Sequence, residues 1–369
     1  MPCIVFTIMD TDRRRERKVM VTRNDVAKLA GVSPAVVSYV LNNSNYVSEE
    51  KRCAVLNAVA QLGYFPNSAA RSLKEGKSKQ FLIITDDVRS ELFAEVTFYM
   101  EREASESGYS IAISSCTQKN FDEYLDSLMG RQYAGIFLFS GIFPLVGVQL
   151  DKINRLAEAG MPVVLFKFIQ SSAKLHPSIT LLQSNISEAV CKAVDYLHDV
   201  KGHEIVGYIG DGNPCATGET LPFGDGLRVK GYLESERKHR REPDKRYVFF
   251  LDENPPPHQT FMNVEVIVEQ ILAMSENERP TAYFVNSDIL AAKLMARFRS
   301  LEIYVPQDVE IVGFGDTLSA TITNPQLTTV GLPCQAIGEQ AVYALLQKAK
   351  GEPVANGYFA ANFIKRDSA

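Results

Sequence analysis

Residues 22–42, TRNDVAKLAGVSPAVVSYVLN, join two short helix patterns through one glycine, and this stretch constrains the chain more than any other. Thr22 is followed three residues on by Asp25, a pairing that satisfies the orphan backbone donors at a helix start. The run Val26, Ala27, Leu29 and Ala30 then supplies an apolar side. Gly31 can take the left-handed conformation that ends the helix, and small Ala27 lets a second helix cross closely. Val37 and Val40 give that second helix its packing face. Ser33 is placed to cap it, and Pro34 opens it where a missing N–H costs nothing. The outward face is then Pro34, Ala35, Ser38 and Tyr39, the residues such a helix would turn to a DNA major groove. A helix pair in an all-helical core would leave the same spacing, so the segment alone keeps two readings open.

The following residues narrow the choice. Ser48 to Leu62 reads as a third helix with Cys53, Val55, Leu56, Val59 and Leu62 on one side, ended by Gly63. Tyr64-Phe65-Pro66 breaks the chain, Asn67 can cap again, and Ser68 to Lys74 has helical character over a length too short to be stable alone. Charge divides at the same place. Residues 1–79 carry a balance of +6 and the remainder −11, giving the net −5 of the whole chain. A cationic headpiece on an acidic body is the footprint expected where phosphates are neutralised.

Residues 1–20, with the run Arg13-Arg14-Arg15-Glu16-Arg17-Lys18, read as a disordered N-terminal extension, and translation is expected to start at Met20. The apolar stretch Ile4 to Met9 precedes the positive charges and is too short for a secretory signal or a membrane span, so a cytoplasmic protein without membrane contact is expected. Cys3, Cys53, Cys116, Cys191, Cys215 and Cys334 are scattered with no metal-ligand spacing; neither disulfides nor structural zinc are expected.

Beyond residue 80, short apolar runs alternate with amphipathic segments. The runs Phe81–Thr85, Tyr109–Ser114, Gly135–Phe139, Val163–Phe168, Ile205–Gly210, Tyr247–Leu251, Ala282–Asn286 and Ile311–Phe314 read as buried parallel strands. Glu91–Ser107, Phe121–Arg131, Ile186–Asp199, Val264–Ala273 and Leu290–Arg299 read as the helices between them, the βα alternation of doubly wound sheets. The length of this region is comfortable for two such sheets.

At this point the chain resembles the lactose-repressor and galactose-repressor family of bacterial transcription regulators. Its D-V-A-x-x-A-G-V-S and V-S-x-V-L-N runs stand at Asp25–Ser33 and Val37–Asn42, and its hinge signature G-Y-x-P-N-x-x-A-R-S-L at Gly63–Leu73. Gly135–Leu138, Gly160–Val164, Gly202-His203, Arg228–Tyr232, Val309–Gly313 and Leu327–Val330 follow in the family's order, so the likeness covers about residues 21–366. It implies an α/β fold with an N-terminal helix-turn-helix headpiece and hinge helix, then two doubly wound subdomains like a type I periplasmic binding protein. The implied divisions are 21–66 for the headpiece, 67–79 for hinge helix and linker, and 80–369 for effector binding and dimerisation. Within the body the N-subdomain would take about 80–182 and 331–355, the C-subdomain about 183–330 and 356–369, with crossovers near 182, 315 and 331.

The resemblance also assigns roles. Pro34, Ala35 and Tyr39, beside Ser38, would meet bases of double-stranded operator DNA, while Thr22, Ser33, Asn42, Tyr46, Ser48 and Asn67 would hold phosphates. Ala35 offers only a methyl, and Tyr39 replaces the arginine or histidine common at its place, so one strong guanine contact is lost. Ala70, Leu73 and Lys74 of the hinge helix would also lie on DNA, Leu73 as a minor-groove wedge. Phe93, Lys167, Arg228, Ser287 and Asp316 would line a cleft for a small-molecule effector, a sugar or an anionic metabolite. Three departures weaken a sugar reading: Lys167 and Gly315 stand where the family often has acids, and Ser287 where it often has asparagine. They shift the expectation toward an anionic or less hydroxyl-rich effector. Gln183-Ser184-Asn185 also departs from the usual D-N-x-x-G. The implied protein is a homodimeric repressor.

An enzyme is not expected. His176, His198, His203, His239 and His258 form no local catalytic signature, His203 fits a structural hydrogen-bonding place, and Gly313-Phe314-Gly315 lacks the third glycine of a dinucleotide fingerprint. No cofactor or metal is called for. A small-molecule binding protein without regulated DNA binding, and an architectural DNA protein without an effector, remain as alternatives.

Overall fold

The computed structural model describes residues 21–41, 46–65, 78–116, 120–131, 133–140, 147–167, 174–210, 226–239, 244–251 and 263–369. The chain divides into two compact units, residues 1–75 and 76–369.

In the first unit, α1 (Arg23–Ala30) starts on a complete capping box: the Thr22 hydroxyl accepts from the Asp25 N–H, and the Asp25 carboxylate accepts from the Thr22 N–H at 2.8 Å. Gly31 ends it at φ 64°. The Ser33 hydroxyl accepts from the Val36 N–H at 3.4 Å as α2 (Pro34–Leu41) begins. α3 (Glu49–Leu62) completes a core of Val26, Ala27, Val37, Val40, Val55, Ala58 and Tyr64. The expected apolar side of α3 needs correction: Cys53 and Leu56 are exposed, and Ala58 takes the inward place. A 3.6-residue turn aligns Val55, Ala58, Val59 and Leu62, and Cys53 and Leu56 fall outside that seam.

The second unit holds two six-stranded sheets built on one plan. The first contains β1 (Gln80–Thr85), β2 (Ser110–Ser115), β3 (Gly135–Ser140), β4 (Val163–Lys167) and β5 (Thr180–Ser184). Its helices are α4 (Glu91–Glu106), α5 (Phe121–Leu128) and α6 (Gly147–Glu158). The second begins after α7 (Ile186–Asp199), with β6 (Val206–Gly210), α8 (Gly226–Lys238), β7 (Val248–Phe250), α9 (Glu265–Ala273) and β8 (Ala282–Val285). It continues with α10 (Asp288–Ser300), β9 (Glu310–Gly315), α11 (Leu318–Ile322) and β10 (Thr328–Gly331). Then α12 (Cys334–Ala349) returns to the first sheet, followed by β11 (Gly357–Phe359) and β12 (Asn362–Ile364).

Strand orders are β2-β1-β3-β4-β5-β11 and β7-β6-β8-β9-β10-β12, parallel throughout except for antiparallel β12. Each sheet therefore reverses its winding once, between β1 and β3 and between β6 and β8. Ligands of such sheets bind beyond the carboxyl ends of strands at that reversal. Burial on both faces explains why β1 and β6 are continuous apolar runs.

Crossings stand near 182 and 331 as expected, but the third differs. Chain passes between sheets after β5, after β10 and between β11 and β12; no crossing occurs at 315, because β9 and β10 pair within one sheet. Gly357–Phe359 hydrogen-bonds parallel to the open edge of β5, so the N-subdomain extends through β11 and the C-subdomain resumes only at β12. Short three-residue edge strands leave too little pattern for sequence periodicity to register.

Helix α8 packs on α7 through Gly231, where an added Cβ would lie 2.4 Å from the Ser187 carbonyl oxygen. Gly231→Ala should therefore lower body stability by about 1–3 kcal/mol. Gly130→Ala, which meets nothing within 4 Å, serves as the control. Urea unfolding of the two variants measures the difference; equal midpoints would contradict the close packing.

Candidate functional site

On the headpiece, Pro34, Ala35 and Tyr39 are exposed together on one face of α2, with Tyr39 52% accessible. Ser38 shares that face but is half-buried, donating to the Pro34 carbonyl at 3.0 Å and accepting from Arg23 Nη1 at 2.9 Å. Thr22, Ser33 and Ser48 stand at the three helix starts, where unpaired N–H groups and the positive dipole end favour phosphate oxygens. Ser48 makes no side-chain cap bond and Tyr46 is 95% exposed. Asn42, Asn67, Ala70, Leu73 and Lys74 lie outside the described residues, as does the hinge helix.

The second candidate site forms where the carboxyl ends of the two sheets adjoin. Arg228, near the start of α8, reaches the ends of β8 and β9: its Nη1 donates to the Asn286 carbonyl at 2.9 Å, and its guanidinium stands 5.1 Å from the Phe314 ring centroid. The next residue, Ser287, is the N-cap of α10, and its buried Oγ has no hydrogen-bond partner among the described residues. Arg228 and Ser287 are thus brought together. Asp316 follows β9 at φ 55°, and Arg366 Nη2 donates to its Oδ1 at 2.5 Å. Lys167 ends β4; its side chain lies outside the described residues. Phe93 requires correction as a lining aromatic: it is 3% exposed and packs in the first core, its ring centroid 6.3 Å from that of Phe139.

Two acids missed in the sequence lie at the centre of this region. Asp288, 1% exposed, accepts from the Thr317 N–H at 2.8 Å and the Thr329 hydroxyl at 2.6 Å, with the Thr317 hydroxyl oxygen 3.2 Å away. Burial pushes its carboxyl above the usual range, against the pull of those hydrogen bonds. The Thr317 hydroxyl has one proton, and the shorter contact, 2.6 Å to Glu91 Oε2, receives it. Ser319 donates to the other Glu91 oxygen at 2.8 Å. Glu91 belongs to α4 on the first sheet, whereas Thr317 and Ser319 follow β9 of the second. One carboxylate therefore latches the two subdomains together. The available signal was positional: both acids open helices directly after the strand ends that flank or border the winding reversals.

Gly315, one of the departures, has a backbone reason. Its φ is 132°, and a Cβ would meet Thr317 Cγ2 at 2.9 Å. Asn185, in another departure, accepts from the Ala361 N–H at 2.6 Å and ties the first crossover to the last. His203 is structural: its ring nitrogens lie 2.8 Å from Thr281 Oγ1 and 3.0 Å from Glu310 Oε2.

A helix-turn-helix unit attached to a latched pair of α/β sheets defines a class, the DNA-binding transcription regulators with a small-molecule-binding body. Comparisons agree. Residues 22–67 match the model of bacterial regulatory proteins of the lacI family, and 194–368 match the periplasmic binding protein-like domain. The chain is 31% identical over 338 residues to catabolite control protein A of Priestia megaterium, covering 90% of this chain and 94% of that one. It is 28% identical over 348 residues to the HTH-type transcriptional repressor CytR of Escherichia coli, covering 94% of each. Among solved structures, the lac repressor bound to ONPG in its repressed state aligns with a TM-score of 0.75 at 22% identity, covering 95% of this chain and 99% of that one. The chain belongs to the lacI family of bacterial regulatory proteins. It is a DNA-binding transcription regulator and not an enzyme. No helix among the described residues is long and apolar enough to cross a membrane.

Replacing Asp288 by asparagine turns one acceptor into a donor facing Thr317 or Thr329. Asp288→Asn should cost about 1–3 kcal/mol of body stability, read by urea unfolding; an unchanged midpoint would show that the carboxylate is not the hub described here.

Proposed function

We propose that this regulator is a cytoplasmic repressor that binds a near-palindromic operator as a homodimer and is switched by a small effector held between its two subdomains. The observation that carries this reading is the Glu91 latch, which brings the carboxyl ends of both sheets together beside Arg228 and Ser287. Binding between two lobes changes their separation, and a change in lobe separation is what two hinge segments of a dimer can sense. The sequence of residues 67–74 supports a hinge helix that forms on DNA and inserts Leu73 into the minor groove. Arg228 and Lys167 favour an effector with an anionic group, against neutral sugars. The second copy would cover the outer edge of β2, an uncharged strand with Ile113 48% exposed and none of the lysines or prolines that guard free edges.

Selection of genomic DNA fragments by the purified protein, with and without pooled cytoplasmic metabolites, tests the reading. A short near-palindrome whose recovery changes with one pool is expected; no enriched site in either condition would overturn it. Calorimetry against phosphorylated and carboxylated metabolites and neutral sugars tests the effector class, and tight binding of a neutral sugar alone would rule the anionic one out.

Glu91→Ala removes the latch without touching the sheets. It should change effector affinity by about fivefold or more, the scale of a typical coupling free energy, in a titration of the full chain; an unaltered affinity would mean that the latch takes no part in closure.

A further inference from the structure

The exposed face of α2 is poor in base-reading chemistry. Pro34 and Ala35 carry no side-chain donor, and Tyr39 carries one hydroxyl. A guanidinium reaches this face from the other helix. Arg23, the first residue of α1, donates from Nη1 to Ser38 Oγ at 2.9 Å, and Ser38 in turn donates to the Pro34 carbonyl at 3.0 Å. Ser38 lies one helical turn beyond Pro34, so this pair of bonds fixes the guanidinium along the Pro34–Ser38 flank of the exposed face. The Nε atom is buried and has no hydrogen-bond partner among the described residues, so the side chain lies down against the helix pair. No described carboxylate forms an ion pair with it; Asp25, the nearest acid in sequence, is occupied by the Thr22 cap.

We propose that Arg23 is the guanine-reading residue of this headpiece, supplying from α1 the contact that Tyr39 does not make from α2. Ser38 is its positioning residue. The remaining N–H groups of the two terminal nitrogens form a planar fork matching guanine O6 and N7, the pairing that gives arginine its specificity in the major groove. Clipping by Ser38 fixes the plane of that fork before DNA arrives, which lowers the ordering cost of the contact. A phosphate contact would need charge and no fixed plane. The apolar surfaces of Pro34 and Ala35 beside the fork suit a base edge with its neighbouring thymine methyl.

The test is selection from a random DNA pool with full-length protein, comparing wild type, Arg23→Ala, Arg23→Lys and Ser38→Ala, with helix content followed by circular dichroism. Wild type should require a G·C pair at one position of each half-site. Arg23→Ala should lose discrimination at that position by about tenfold to a hundredfold, leaving preferences elsewhere in the site unchanged. Arg23→Lys keeps the charge without the fork, so it should keep general DNA affinity and still lose most of the discrimination. This variant decides the matter if Arg23→Ala does not fold. Ser38→Ala should weaken discrimination at the same position and no other. A uniform loss over all sequences, with the salt dependence reduced by about one phosphate, would show a backbone contact and overturn the proposal. So would an unchanged preference in Arg23→Lys.

Discussion

Neither sheet of the body can be completed from one continuous stretch of chain. β11 closes the edge of the first sheet and β12 that of the second, and only two residues separate them. Three crossings bind the subdomains side by side, and Asn185 Oδ1 holds two of these crossings 2.6 Å from Ala361 N. A pair of lobes joined in this way can rotate about the crossings but cannot separate. The fold thus leaves opening and closing of the carboxyl-end cleft as the available large motion, and Glu91 stands where that motion would be felt.

The chemistry at the strand ends follows from the same arrangement. Asp288 is buried at the first turn of α10, where the dipole favours a negative charge, and the Thr317 N–H and Thr329 hydroxyl offset part of its desolvation. Through Thr317, that buried acid shares a contact with an acid of the other subdomain. A hydroxyl with one proton and two carboxylate neighbours is a bistable element: when Glu91 withdraws, the Thr317 proton is available to Asp288. An effector bound where we propose, beside Arg228 and Ser287, would act next to a hydrogen bond with two discrete settings.

Much of this was legible in the sequence, and unevenly. The headpiece was readable because its determinants are local: Thr22 with Asp25, Gly31 at positive φ, and Ser33 before Pro34 all act within a few residues. The strands were readable because both faces are buried, so apolar runs replace alternation. The errors arose where contacts are distant. β11 and β12 have three residues each and are set by pairing with strands far away in sequence. Phe93 resembles a cleft aromatic by position and is core by packing. Glu91 and Asp288 could be seen as acids after strands, but only the fold brings Glu91 to Thr317, 226 residues further along the chain. Arg23 escaped notice because a helix's first residue is normally read for capping, while its partner Ser38 lies on the next helix.

On the proposed reading, DNA and effector act on one conformational equilibrium. Linkage then requires the effector to change operator affinity by the same factor by which operator changes effector affinity. The most direct measurement is a pair of titrations of the full-length protein: effector binding to the free protein and to its complex with a selected operator fragment. The account predicts dissociation constants differing by about fivefold or more, matched by the reciprocal change in operator affinity. Equal constants would contradict it and leave DNA binding and cleft binding as independent activities of one chain.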